Sequence, residues 1–369
     1  MRSFNPDWKW LGHVALIYAG AVIAGAAADF FRLPLPWMIG AMVFATTVRM
    51  SGLAIRVPGF TRPLGQMVVA GSVGLSFTPA AVSALGALLV PMVGAALLTV
   101  LAGFLVATVV MRLAHMDVVS ASLASVPIGP VETVVLARRH GVDPGPVVFA
   151  QTLRIMTLVL LIPPALLALD GGVSDPSAAI RDMPWDAPGA ALLALLAVAG
   201  AGLARLVRLS NPFFVGSLGG AALGAALSLP VTAFPYALLA TAQIFLGVWL
   251  GAVFDRSLLV RARGFIMAAL VSTALMIALC AAMGIALSVI TGLPWPVMIL
   301  ATAPGSVTEM ALTAKILQQG IAVVTAFHVV RIFIILPSAP LIIGVTARVA
   351  RRYGIGPPGR PQESDEQAR

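Results

Sequence analysis

Two carboxylates and two guanidinium groups stand inside long apolar stretches of this chain: Glu132, Arg154, Glu309 and Arg331. An ionisable group at bilayer depth is costly and marks function by default, so each needs a partner. Each glutamate precedes an arginine by 22 residues, enough chain for a half-helix, a short loop and the start of the next helix. An ion pair within each unit is therefore sterically plausible. Two readings of such a pair stay open: it pins a loop to its neighbour, or it binds an ion, a proton or a substrate. Just before the glutamates stand Pro127, Gly129 and Pro130 in one stretch, and Pro304, Gly305 and Ser306 in the other. Proline removes a helical hydrogen bond and clashes with the preceding turn, so both stretches predict a helix broken at membrane depth. Half-helix N-termini present free N–H groups to anions, and carbonyl ends suit cations. Ser125, Thr133 and Thr308 add hydroxyls.

The elements that must position these residues come from a duplication. Gln66 and Gln243 lie 177 residues apart, and the same offset links Gly74 to Gly251, Pro127 to Pro304, Glu132 to Glu309, Arg154 to Arg331 and Pro163 to Pro340. Each copy divides into six apolar segments, the first near 10–30, 35–51, 63–78, 85–111, 117–138 and 145–169. The second copy has them near 188–207, 211–229, 235–253, 264–290, 294–315 and 321–346. Gln66 and Gln243 open the third segments above Gly71, Gly74, Gly247 and Gly251. An amide there either glues helices together or contacts a substrate.

Composition fixes the solvent. Of 369 residues, 60% are hydrophobic and 10% charged, with a mean hydropathy of +1.01; a soluble domain carries about 25% charged residues. The expectation is an all-α integral membrane protein. The net charge of +9 follows from cytoplasmic loops enriched in Lys and Arg and gives no reason to expect direct nucleic-acid contact. One cysteine, Cys280, excludes an intramolecular disulfide. Four histidines lack metal-ligand spacing and no nucleotide or hydrolase motif occurs, so no metal, no cofactor and no enzymatic activity are expected.

Charge placement selects a topology. If all twelve segments span from a cytoplasmic N-terminus, the 23 Lys and Arg divide as 12 inside, 9 outside and 2 within the membrane. If each broken fifth segment re-enters, the division is 18 inside, 3 outside (Arg32, Arg181 and Lys315) and 2 buried, a better match to the positive-inside rule. Five crossings per copy is odd, so the copies are expected as inverted repeats, with about ten full crossings and two re-entrant elements. The layout is then a cytoplasmic N-terminus over 1–9, a membrane repeat over 10–170, an external linker over 171–187, a second repeat over 188–347 and a cytoplasmic basic tail over 348–369.

With these motifs in view, the chain resembles the AbrB membrane family. The resemblance is carried by Leu35-Pro36-Trp37-Met38-Ile39-Gly40-Ala41, by Gly65-Gln66 with Gly71 and Gly74, by Gln151-Thr152-Leu153-Arg154, and by Thr302-Ala303-Pro304-Gly305-Ser306-Val307-Thr308-Glu309-Met310. The family's Pro-Gly-Gly-x-x-Glu-Met pattern has Ser306 for its second glycine here, and the first copy departs further. The resemblance implies a bacterial inner-membrane protein, from a family whose members have carried transcriptional-regulator and ammonia monooxygenase labels. No copper-ligand cluster supports the second label.

The function expected is that of a secondary transporter, with a small solute or ion bound between the two broken elements by Glu132, Glu309, Arg154, Arg331, Gln66, Gln243, Ser306 and Thr308. The alternative is a membrane regulator or sensor that binds without transport. The partners expected are the lipid bilayer and an unnamed small solute or ion. A homo-oligomer is compatible with the sequence, which fixes no oligomeric state. Cysteines introduced into 138–145 and into 315–321 should label from opposite sides of the membrane; labelling from one side would overturn the inverted topology.

Overall fold

The computed structural model describes residues 8–169, 177–254 and 263–353, and sixteen helices make up its regular structure. The expected N-terminal segment 1–9, linker 171–187 and tail 348–369 lie partly outside the described residues. The first half begins with α1 (Trp8–Phe30), α2 (Pro36–Met50), α3 (Thr61–Gly74), α4 (Pro79–Gly86) and α5 (Leu89–Ala114). It continues with α6 (Val118–Ser125), α7 (Pro130–Arg139) and α8 (Pro144–Leu169), and a single turn, α9 (Ala178–Arg181), leads to the second half. That half comprises α10 (Ala187–Leu206), α11 (Pro212–Ala226), α12 (Tyr236–Ala252), α13 (Arg263–Thr291), α14 (Trp295–Thr302), α15 (Val307–Ile316) and α16 (Ile321–Tyr353).

Among the described residues, six helices (α1, α5, α8, α10, α13 and α16) are long and apolar enough to cross a bilayer. α3 and α4 form a seventh candidate, bent by 88°. α11 and α12 are shorter apolar helices. The outer faces carry large apolar side chains, Val90 at 82% exposure and Val289 at 83% among them. In water that surface would aggregate; against lipid tails it is the solvated face. This is an all-α membrane protein.

The bend between α3 and α4 falls at the end of the segment that the sequence reads as 63–78, and α4 fills most of the gap before the next segment at 85–111. Thr78 caps α4 with its hydroxyl on the Ala81 N–H, and Pro79 takes the first helical position, where its missing N–H costs nothing. Both α2 and α11 begin after a residue in the left-handed region, Leu35 at φ 55° and Asn211 at φ 53°. A left-handed non-glycine residue costs about 1–2 kcal/mol, so these matched entries are held by the packing around them. Leu35 is fully buried.

The halves join through reciprocal helix pairs: α2 packs on α12, and α3 on α11. Glycine makes both approaches backbone-close. A Cβ on Gly251 would lie 2.5 Å from the Met42 carbonyl oxygen and 2.8 Å from the Ala45 Cβ, and one on Gly74 would collide with the Ala221 Cβ. Small residues permit this closeness, which is how helices gain contact where lipid is as apolar as leucine. The core over these pairs takes Met38, Met42 and Val69 from the first half and Phe214, Leu218 and Leu250 from the second. Trp37 Nε1 donates to the Tyr236 hydroxyl at 3.0 Å across the same junction.

Overpacking such a contact costs about 1–3 kcal/mol. Gly251→Val and Gly74→Val should each lower the melting temperature in detergent. Gly202→Ala, where an added Cβ meets nothing within 4 Å, should leave it unchanged or raise it.

Candidate functional site

Both expected helix breaks are present. The first runs over 126–129 between α6 and α7, and the second over 303–306 between α14 and α15. A break inside the membrane frees carbonyls on one side and N–H groups on the other, and each must find a partner within the protein.

The carbonyl ends are closed from the helix that follows. Gln151 Nε2 on α8 donates to the Leu123 and Val126 carbonyls at 2.7 and 2.8 Å. Arg154 Nη1 donates to the Ser125 carbonyl at 2.8 Å, and its Nη2 to Gln151 Oε1. In the second half His328 Nε2 contacts the Leu300 carbonyl at 2.9 Å, the counterpart of Leu123. Arg331 Nη1 donates to the Ala303 carbonyl at 2.7 Å, and its Nη2 to the Gly305 carbonyl. Positive charge at the carbonyl end of a helix also opposes its dipole.

The N–H ends carry the carboxylates. Glu132 and Glu309 are the third residues of α7 and α15, where an acidic side chain folds back toward the helix start. A Cβ on Gly129 would fall on Glu132 Oε2, which places the movable end of this side chain back against the start of α7. Ser306 opens α15, and its side chain lies against the Glu309 carboxylate.

This corrects the ion pairs that the spacing made plausible. Among the described residues neither Arg154 nor Arg331 bonds a glutamate; each guanidinium is engaged by backbone carbonyls or by Gln151. The physical reason is that the charges sit on opposite ends of two different dipoles: each arginine answers the end of one half-helix and each glutamate the start of the next. Lys315, counted on the outer side in the sequence reading, is 3% exposed, with its Nζ donating to the Ser72 carbonyl at 2.9 Å. It satisfies a carbonyl near the end of α3, where the chain bends into α4.

Between the breaks lies a cavity of about 650 Å³. Of the expected site residues it gathers Gln66, Pro127, Gly129, Glu132, Arg154, Pro304, Gly305, Ser306 and Arg331. Gln243, Thr308 and Glu309 do not line it. They are buried, and among the described residues the Gln243 amide, the Thr308 hydroxyl and Glu309 Oε2 meet no hydrogen-bond partner. Pro130 occupies the first position of α7. Sequence reasoning missed Arg62 and Trp249, which also line the cavity with the Arg62 Cζ 3.8 Å from the centre of the Trp249 ring. Their 177-residue counterparts, Leu239 and Ser72, repeat neither chemistry, so the duplication carried no signal for them.

The fold and cavity define a polytopic α-helical membrane protein with two broken helices around an open, guanidinium-lined chamber. The chain belongs to the AbrB family, described as transition state regulatory protein AbrB, which matches residues 37–347. It is similar to "Putative regulator AbrB" of Escherichia coli (strain K12), 25% identical over 316 residues that cover 84% of this chain and 90% of that one. It is also similar to "Uncharacterized protein YhjN" of Bacillus subtilis (strain 168), 25% identical over 370 residues that cover 92% and 94%.

Leaving a buried carbonyl unpaired costs about 1–3 kcal/mol. Arg331→Met strips the Ala303 and Gly305 carbonyls of a donor and should lower the melting temperature by several degrees. Arg331→Lys, which keeps the charge but not the fork, should fall between Met and wild type.

Proposed function

We propose that this protein is a carrier of the bacterial cytoplasmic membrane, with both termini cytoplasmic, that binds a small solute between its two broken helices and moves it without covalent chemistry. The observation that carries this reading is the cavity, which takes its walls from both breaks at once. Its volume falls within the range of about 300–1,000 Å³ typical of small-molecule sites. Helix breaks meeting at a solute site in inverted repeats are how many secondary transporters expose one site to each side in turn. The sequence duplication and the reciprocal packing of α2 on α12 and α3 on α11 support the same reading.

Glu132 and Glu309 then have two tasks. They oppose the dipoles at the starts of α7 and α15, and their charge sets the field at the chamber. Glutamine also caps a helix from the third position, so Glu→Gln removes charge while retaining the local fold. In proteoliposomes, Glu132→Gln with Glu309→Gln should abolish accumulation of any solute that the wild type takes up. Wild-type flux from the double variant would refute this mechanism.

A second reading is a membrane regulator that binds a solute and passes the signal to a partner protein. The name of the Escherichia coli relative favours it. Under that reading solute binds with the same dependence on the two glutamates, but no flux occurs in proteoliposomes.

A further inference from the structure

The carrier reading leaves the solute unnamed, and Arg62 narrows it. This residue is the second of α3, is half-buried, and lines the cavity. Its guanidinium lies over the indole of Trp249 at 3.8 Å. Stacking of this kind fixes a guanidinium through its face. Among the described residues no hydrogen bond or ion pair engages its N–H groups, so its edge retains its donors. Arg154 and Arg331 differ, because each already commits two N–H donors at its break. Even so, Arg154 is 3% exposed and its buried Nε has no partner.

The charge around the chamber points the same way. Among the described residues Arg62, Arg154 and Arg331 line it with Glu132, and Glu309 lies within electrostatic reach of Arg62. Three guanidiniums against two carboxylates leave one positive charge uncompensated when both acids are ionised. A monoanion would neutralise it. The remaining wall is largely apolar, with Ile55, Val57, Ile155, Phe213, Ile332 and Leu336.

We propose that the chamber takes a small organic monocarboxylate, its carboxylate held by the edge of the Trp249-stacked Arg62 and its apolar body against the aliphatic wall. This rests on the carrier reading for the location of the site. A planar fork suits a carboxylate, since two parallel N–H···O bonds form at once, and stacking removes much of the cost of ordering the arginine beforehand.

The test is calorimetric titration of the full-length protein in nanodiscs with 4-methylpentanoate, its neutral amide 4-methylpentanamide, and inorganic phosphate. Wild type should bind the carboxylate, and bind the amide and phosphate at least about tenfold more weakly, the loss expected when a charge-assisted pair is removed. Arg62→Gln should weaken carboxylate binding by about tenfold or more while amide binding stays as it was. Arg62→Lys, an ammonium without a fork, should recover only part of the loss. A melting temperature equal to wild type in either variant shows that the loss is not unfolding, and the lysine variant serves if glutamine fails to fold. Carboxylate binding that is unchanged in a folded Arg62 variant overturns the assignment of Arg62. Preference for phosphate, or no carboxylate binding by the wild type, overturns the monocarboxylate class. In each of these cases the carrier reading stands or falls separately on the proteoliposome flux of the Glu132/Glu309 double variant.

Discussion

A helix cannot be interrupted inside a membrane without giving its orphaned carbonyls somewhere to go, and the architecture follows from how this chain meets that demand. At each break the donors come from two positions one turn apart on the next long helix: Gln151 and Arg154 on α8, His328 and Arg331 on α16. Those donors lock α8 against α6 and α16 against α14. The locked breaks form walls of the chamber, so the same bonds that make the broken helices tolerable also shape the space between them. The guanidiniums thereby serve two ends. Two N–H donors of each are held at the breaks, while their charge, met by no carboxylate contact among the described residues, remains as a field over the cavity.

Most of the fold was legible in the sequence because its causes are local or repeated. Apolar length announced the spanning helices, Pro and Gly announced the breaks within a residue or two, and the offset of 177 paired the buried charges and the breaks. The partnership of Glu132 with Arg154 was misread because 22 residues of spacing says that two side chains can meet, not that they do. What decides is the direction of the intervening dipoles, and that becomes visible only when the half-helices are oriented. Arg62 was hidden for a different reason. In the sequence it is one basic residue among several near an expected cytoplasmic loop, and only tertiary packing brings the face of Trp249, 187 positions later, beneath it.

The copies have diverged unevenly around a shared scheme. Gly129 opens α7 with the Glu132 carboxylate folded against it, whereas Ser306 opens α15 and lies against Glu309. Gln151 offers its amide to two carbonyls, and its counterpart His328 reaches one. Gln66 faces the cavity, while Gln243 is sealed with neither end of its amide bonded.

The glycine contacts between the halves have one more consequence. Gly74 against Ala221 and Gly251 against Ala45 are the same contact made twice. Were the two units separate but identical chains, one codon change at this glycine would spoil both contacts together. Fused in one gene, the contacts mutate independently, and a damaged one leaves its counterpart intact. Fusion thus gives the junction genetic redundancy, and with it the freedom for each unit to specialise, as the glycine and serine at the two breaks already have.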